Sequence, residues 1–196
     1  MVIVTGGTGH IGNVLVRELV SLKEHVRVVV APFDDVSSID GLGVETVTAD
    51  IRDVDSLVKA FEGGNCVYHL AGIISIGSGK RKIIHAINVN GTKNVIDACF
   101  KAGIQRLVYA SSIHAFIEPP FGTPIIETKN FDPLKVVGNY AKTKAEATKE
   151  VLKAVDRGLD AVIVHPTGVI GPYEFKLSNT GQLILDFIKK RLYIYI

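Results

Sequence analysis

The stretch Val2–Gly12, VIVTGGTGHIG, leaves this chain few ways to fold. Val2–Val4 is a short apolar run that reads as a buried strand, and it passes directly into a glycine-rich turn, Thr5–Gly12. Beyond the turn, Ile11, Val14, Leu15, Leu19 and Leu22 recur at helical spacing. Strand, glycine turn and helix in that order are the context that gives a glycine motif its meaning. Gly6 permits the tight turn, Gly9 lacks the Cβ that would hold backbone away from a pyrophosphate, and Gly12 lets the helix pack close to the strand. The start of such a helix offers N–H groups and the positive end of its dipole to phosphates. Dinucleotide binding is the expectation, and an ordinary glycine-rich loop the alternative.

The rest of the chain repeats the alternation. Strands are expected at Val26–Val30, Val44–Thr48, Cys66–Leu70, Leu107–Ala110 and Ala161–Val164. Helices are expected from an Asp53 cap to Phe61, over 82–102, over Asn139–Val155, and from an Asn179 or Thr180 cap to Lys190. Strands alternating with helices throughout imply right-handed crossovers and an α/β fold, a doubly wound, Rossmann-like parallel sheet with helices on both faces. Ligands of such sheets bind where the C-terminal ends of the strands meet at a switch point. Gly6–Gly12, Asp50, Leu70–Gly72, Ser111–Ser112 and Pro166 all fall there.

Composition narrows the classes. At 196 residues with 47% apolar and 21% charged residues, the chain can bury a core as one globular domain. A net charge of +2 and the lack of tryptophan give no basic, aromatic-laced surface for nucleic acid. The two cysteines, Cys66 and Cys99, lack metal-ligand spacing and read as buried thiols in a reducing compartment. No metal site is expected. With no secretory leader and no apolar run long enough to span a bilayer, a cytoplasmic protein without membrane contact is expected.

Tyr140 and Lys144 stand four residues apart and therefore share a helix face. A tyrosine alone, with a pKa of about 10, is a poor acid or base at neutral pH, and a nearby ammonium favours its phenolate. Such a pair can move a proton on a substrate oxygen while hydride passes to or from a nicotinamide. A lone tyrosine–lysine pair is more commonly a solvated helix face. Here it follows a strand ending in Ser111–Ser112, which could also be a simple strand-end cap.

With those residues in place the chain resembles the extended short-chain dehydrogenase/reductases, the NAD-dependent epimerase/dehydratase and dihydroflavonol-reductase-like branch. TGGTGHIG is similar to the cofactor turn, which implies contacts from Gly6, Thr8, Gly9, His10, Ile11 and Gly12. Asp50 and Ile51 resemble the segment that holds the adenine, and Leu70, Ala71 and Gly72 the strand end lining the cofactor. NVNGT, starting at Asn88, resembles the segment whose asparagine supports the active site, a helix-interior backbone bond being the competing role. YASS is similar to the catalytic-serine strand and YAKTK to the tyrosine–lysine segment. HPTGVIGP, with Pro166 and Val169, resembles the stretch over the nicotinamide. The resemblance implies that Ser112 polarises the substrate oxygen, Tyr140 is the general acid/base, and Lys144 lowers its pKa and binds ribose hydroxyls. It implies a hydroxyl or carbonyl substrate, either a sugar nucleotide or a ketone or aldehyde, and a homodimer through helices 82–102 and 139–155.

Departures from that pattern matter. An acid or arginine at the end of the second strand ordinarily separates NAD from NADP. Ala31–Pro32 stands there instead. Asp34 or Asp35 could reach the ribose and would repel a phosphate, which tips the expectation to NAD over NADP, although a solvated loop accounts for both acids. His165 reads as structural, and His69 and His114 have no assigned role. Residues 1–175 read as the dinucleotide-binding domain and 176–196 as the start of a substrate lobe that extended members continue. The final LYIYI is apolar, uncharged and β-prone, as in an exposed edge or a truncated product. A catalytically silent dinucleotide-binding module, or a fragment completed by another chain, is the rival to a working enzyme.

Overall fold

A computed structural model describes residues 1–74 and 81–191. Among the described residues six strands form one parallel sheet: β1 (Val2–Thr5), β2 (Val26–Val30), β3 (Glu45–Thr48), β4 (Cys66–His69), β5 (Arg106–Ala110) and β6 (Asp160–Val164), in the order β3-β2-β1-β4-β5-β6. The helices are α1 (His10–Ser21), α2 (Val54–Phe61), α3 (Arg81–His85), α4 (Gly91–Ala102), α5 (Asn139–Asp156) and α6 (Asn179–Ile188). The doubly wound, Rossmann-like expectation holds. Register aligns the strand ends: Thr5 lies between Val29 and His69, and His69 pairs onward with Tyr109. The chain leaves β1 for β2 on one side and returns to β4 on the other, so the β1–β4 crevice is the switch point.

The central strands are apolar because helices cover both their faces. On one face Ile3, Leu57, Phe61, Val67, Val95 and Leu107 join a single core, and on the other Val4, Val16, Val28 and Ile39 form a second. Asp53 caps α2 as its sequence position suggests, accepting from the N–H groups of Asp55 and Ser56.

Four expectations need correction. The β2–β3 crossover carries no α-helix, only a 3₁₀ turn at Ser37–Ile39, because Pro32 and two glycines at positive φ, Gly41 and Gly43, interrupt any helical run. The 82–102 helix is interrupted by a π-turn, Ala86–Asn90, between α3 and α4. Ser178, rather than Asn179 or Thr180, caps α6, its hydroxyl accepting from the Gly181 N–H. The sheet is not covered throughout: Val162 and Val164 of edge strand β6 are 44% and 42% exposed. The LYIYI terminus lies outside the described residues.

Gly6 and Gly12 set the shape of the first turn. Gly6 has φ +76°, and a Cβ there would lie 2.6 Å from the Ala71 nitrogen. A Cβ at Gly12 would overlap the Gly6 carbonyl, so this glycine admits the turn's own backbone rather than the strand. Gly12→Ala should therefore destabilise the chain by about 1–3 kcal/mol, the range for overpacking, as read by urea unfolding. A change near zero would show that the turn relaxes freely.

Candidate functional site

The glycine turn delivers α1 with its first N–H groups uncapped by any side chain, because the N-cap residue is Gly9. Open N–H groups at a helix start, beside a backbone kept clear of Cβ atoms, fit a dinucleotide's phosphates. Thr8 is nearly buried, and its hydroxyl donates to Asp34 Oδ2 at 2.7 Å. His10 points to the chain's far end, its Nε2–H donating to the Pro172 carbonyl at 3.0 Å. Ile11 is 38% exposed.

Across the crevice the β4 end is tied to β1. The Leu70 N–H donates to the Thr5 carbonyl, and the Ala71 N–H reaches the Thr5 hydroxyl. Gly72 then passes beside Asn88 and Lys144, where a Cβ would lie 3.3 Å from Asn88 Oδ1 and 3.6 Å from Lys144 Nζ. Asn88 sits in the π-turn, a helical irregularity that recurs at functional sites. Its amide clamps the Ile73 backbone, accepting from the N–H at 2.8 Å and donating to the carbonyl at 3.0 Å, and it also donates to Thr143. The helix-interior alternative for Asn88 is thereby set aside: the side chain holds the loop after β4.

The two serines separate. The Ser111 hydroxyl is buried against Thr148 of α5 at 2.7 Å. Ser112 accepts from the His114 N–H at 3.2 Å, capping a short 3₁₀ turn, and its hydroxyl also faces Tyr140. Burial raises the Tyr140 pKa, and the Ser112 hydroxyl pulls it the other way. The expected lowering by Lys144 is not found. The Lys144 ammonium is buried and donates to the Ala110 carbonyl at 2.8 Å, over the face of Tyr109. Desolvation lowers its own pKa to about 8, which weakens its hold on a proton.

Other expected contacts sit differently. Asp50 is paired with Arg52, whose Nε and terminal nitrogen both reach the carboxylate. The Ile51 side chain is in the core and its carbonyl accepts from Asn94, so neither faces the crevice freely. The Pro166 carbonyl accepts from the Ile113 N–H at 3.0 Å and holds the turn after Ser112, while Val169 is 37% exposed. Asp34 is no solvated loop residue, since it touches the glycine turn, whereas Asp35 bends back on the Ser37 N–H.

Sequence reasoning gave His69 no role, read His165 as structural and did not foresee a cavity. His69 is wholly buried at the end of β4, between the hydroxyls of Thr5 (2.8 Å) and Thr92 (3.1 Å). Thr92 donates to the Asn88 carbonyl, so it must accept from His69 Nε2–H, and Nδ1 in turn accepts from Thr5. Burial, with Lys144 adding to it, pushes the His69 pKa down to about 3. His165 donates from Nδ1 to the Ser112 carbonyl and stacks on Phe131, which fixes the serine from behind. A cavity of about 340 Å³ is lined by Ile113, His114, Phe116, Glu118, Ile125, Val137 and Ala141, and its His114 ring meets Tyr140 edge-on. No cluster of three or more metal-ligating side chains occurs among the described residues, and no described helix is long and apolar enough to cross a membrane.

The sequence profile of the 3-beta hydroxysteroid dehydrogenase/isomerase family matches residues 3–195. The chain is 37% identical over 99% of its length to sterol demethylase protein B of Methylococcus capsulatus, covering 59% of that protein. The crystal structure of gox2253 superposes with a TM-score of 0.92 at 32% identity, over 100% of this chain and 59% of that one. UDP-glucose 4-epimerase of Thermus thermophilus, solved in complex with NAD, superposes at 0.80 with 26% identity, over 94% of this chain and 60% of that one. The chain thus spans a little under two thirds of the length of each of these three relatives.

A buried neutral histidine makes a testable demand. The His69 pKa is depressed on folding, so between pH 6.5 and about 3 the unfolded chain binds the extra proton and stability falls on acidification. His69→Gln should reduce that acid slope by about 1 kcal/mol per pH unit over this window, read by urea unfolding from pH 7 to 4.5. An unchanged slope would mean that His69 charges without penalty.

Proposed function

Because the chain belongs to the 3-beta hydroxysteroid dehydrogenase/isomerase family, within the extended short-chain dehydrogenase/reductases, we propose that it is the catalytic half of an NAD(P)-dependent oxidoreductase. Enzymes of this superfamily include NAD(P)-dependent epimerases, dehydratases and reductases. The carrying observation is that Ser112, Tyr140, Lys144 and Gly72 converge at the strand ends next to the glycine turn.

In this reading the turn and the α1 N-terminus hold the cofactor phosphates, and the backbone at Leu70–Gly72 lines its far end. The bound nicotinamide supplies or takes the hydride. Ser112 donates a hydrogen bond to the substrate oxygen, and Tyr140 gives or takes the proton on that oxygen. Lys144, held at the Ala110 carbonyl beside Gly72, serves as the cation for ribose hydroxyls. Asp34, in contact with the turn, supports NAD as the preferred form.

The cavity at His114 and Ala141 favours an apolar ketone or secondary alcohol over a sugar nucleotide. Five of its lining side chains are aliphatic or phenyl, its carboxylate at Glu118 would repel a diphosphate, and among the described residues no lysine or arginine lines it. Residues 176–196 open the substrate lobe in this reading.

Tyr140→Phe should lower turnover of a responsive ketone or alcohol by about 10²–10⁴-fold while leaving dinucleotide affinity within about twofold of the parent. Retained turnover would remove Tyr140 from the chemistry. A parent chain that binds dinucleotide but turns over nothing across a ketone and alcohol panel would favour the silent module.

A further inference from the structure

The segment after β6 returns to the glycine turn. The Pro172 carbonyl accepts from His10, Arg17 lies 4.1 Å over the Tyr173 ring, and Lys176 donates to Asp34 Oδ1 at 2.6 Å. Lys176 also reaches the Thr8 hydroxyl at 3.4 Å. Thr8, Asp34 and Lys176 thus form one hydrogen-bonded group, assembled from the turn, the loop after β2 and a segment more than a hundred residues downstream.

The position is informative. In dinucleotide folds the group that reads the adenosine ribose stands about 20 residues beyond the glycine turn. The end of β2 here is Val30, followed by Ala31 and Pro32, neither of which can accept or donate through a side chain. Asp34 is the acid that instead contacts the turn. Partial burial pushes its carboxyl up, but the hydrogen bonds from Lys176 and Thr8 outweigh that and hold it below the usual range. A carboxylate has about four acceptor positions. Thr8, Lys176 and the Asp35 N–H take one each, which leaves room for one ribose hydroxyl.

We propose that Asp34 and Lys176 form a charge-compensated pair that reads the 2′ position of the dinucleotide, Asp34 accepting from the 2′-hydroxyl and Lys176 limiting the repulsion of a 2′-phosphate. The inference rests on the dinucleotide reading above. It places a specificity determinant on the chain after β6 rather than at the end of β2. Each member of the pair masks the other, so removing either one exposes the opposite charge.

Calorimetric titration of the parent chain, Asp34→Asn, Lys176→Met and the double variant with NAD and NADP tests this. Asp34→Asn should raise the NADP-to-NAD affinity ratio by about tenfold, by loss of the negative charge that faces the 2′ position and release of the lysine. Lys176→Met should lower the ratio by about fivefold, because an uncompensated carboxylate then faces the phosphate. The double variant should fall between the two. Dinucleotide binding with a ratio that stays constant, or moves the same way in both single variants, overturns the pair's role and leaves the cofactor reading intact. A folded parent chain that binds neither form at millimolar concentration overturns the cofactor reading and this inference with it.

Discussion

The approach of Gly6 to the Leu70–Ala71 backbone is the contact on which the site depends. With a Cβ at Gly6 the ends of β1 and β4 could not close to their observed distance. That closure makes the crevice at the switch point and brings Gly72 beside the Lys144 ammonium. The same turn leaves the α1 N–H groups uncapped. A local steric fact at one residue thus shapes the crevice and leaves the start of α1 open to an anion.

Behind the crevice runs a buried polar chain. It passes from Thr5 through His69 and Thr92 to Asn88, and on through Thr143 to the Tyr140 carbonyl. Every link has a donor and an acceptor, which keeps burial of these groups from being costly. The chain joins the strand that starts the turn to the helix that carries the tyrosine. A neutral His69 is required for the pattern, since a protonated ring would present two donors and lose the bond from Thr5.

Much of this was legible in the sequence because it is governed by local rules. The glycine spacing, the Asp53 cap and the tyrosine–lysine separation are readable within a few residues, and the parallel sheet follows from their alternation. What was not legible depends on residues far apart in the chain. The bond between Lys144 and the Ala110 carbonyl depends on how α5 docks on β5, and no spacing reveals it. The π-turn at Ala86–Asn90 has the same composition as ordinary helix, so periodicity read straight through it. His69 looked like any residue at a strand end until its two threonine partners were placed beside it. Asp34 seemed solvated because Lys176 lies so far downstream.

The claim that ties these features together is that a dinucleotide lies across the β1–β4 crevice with its reacting end toward Tyr140. Amide hydrogen exchange read by mass spectrometry, with and without saturating NADH, tests it most directly. Protection is expected in peptides covering 6–14, 70–74 and 110–116, with little change in α2. Protection confined to other segments, or none at saturating ligand, would contradict the account.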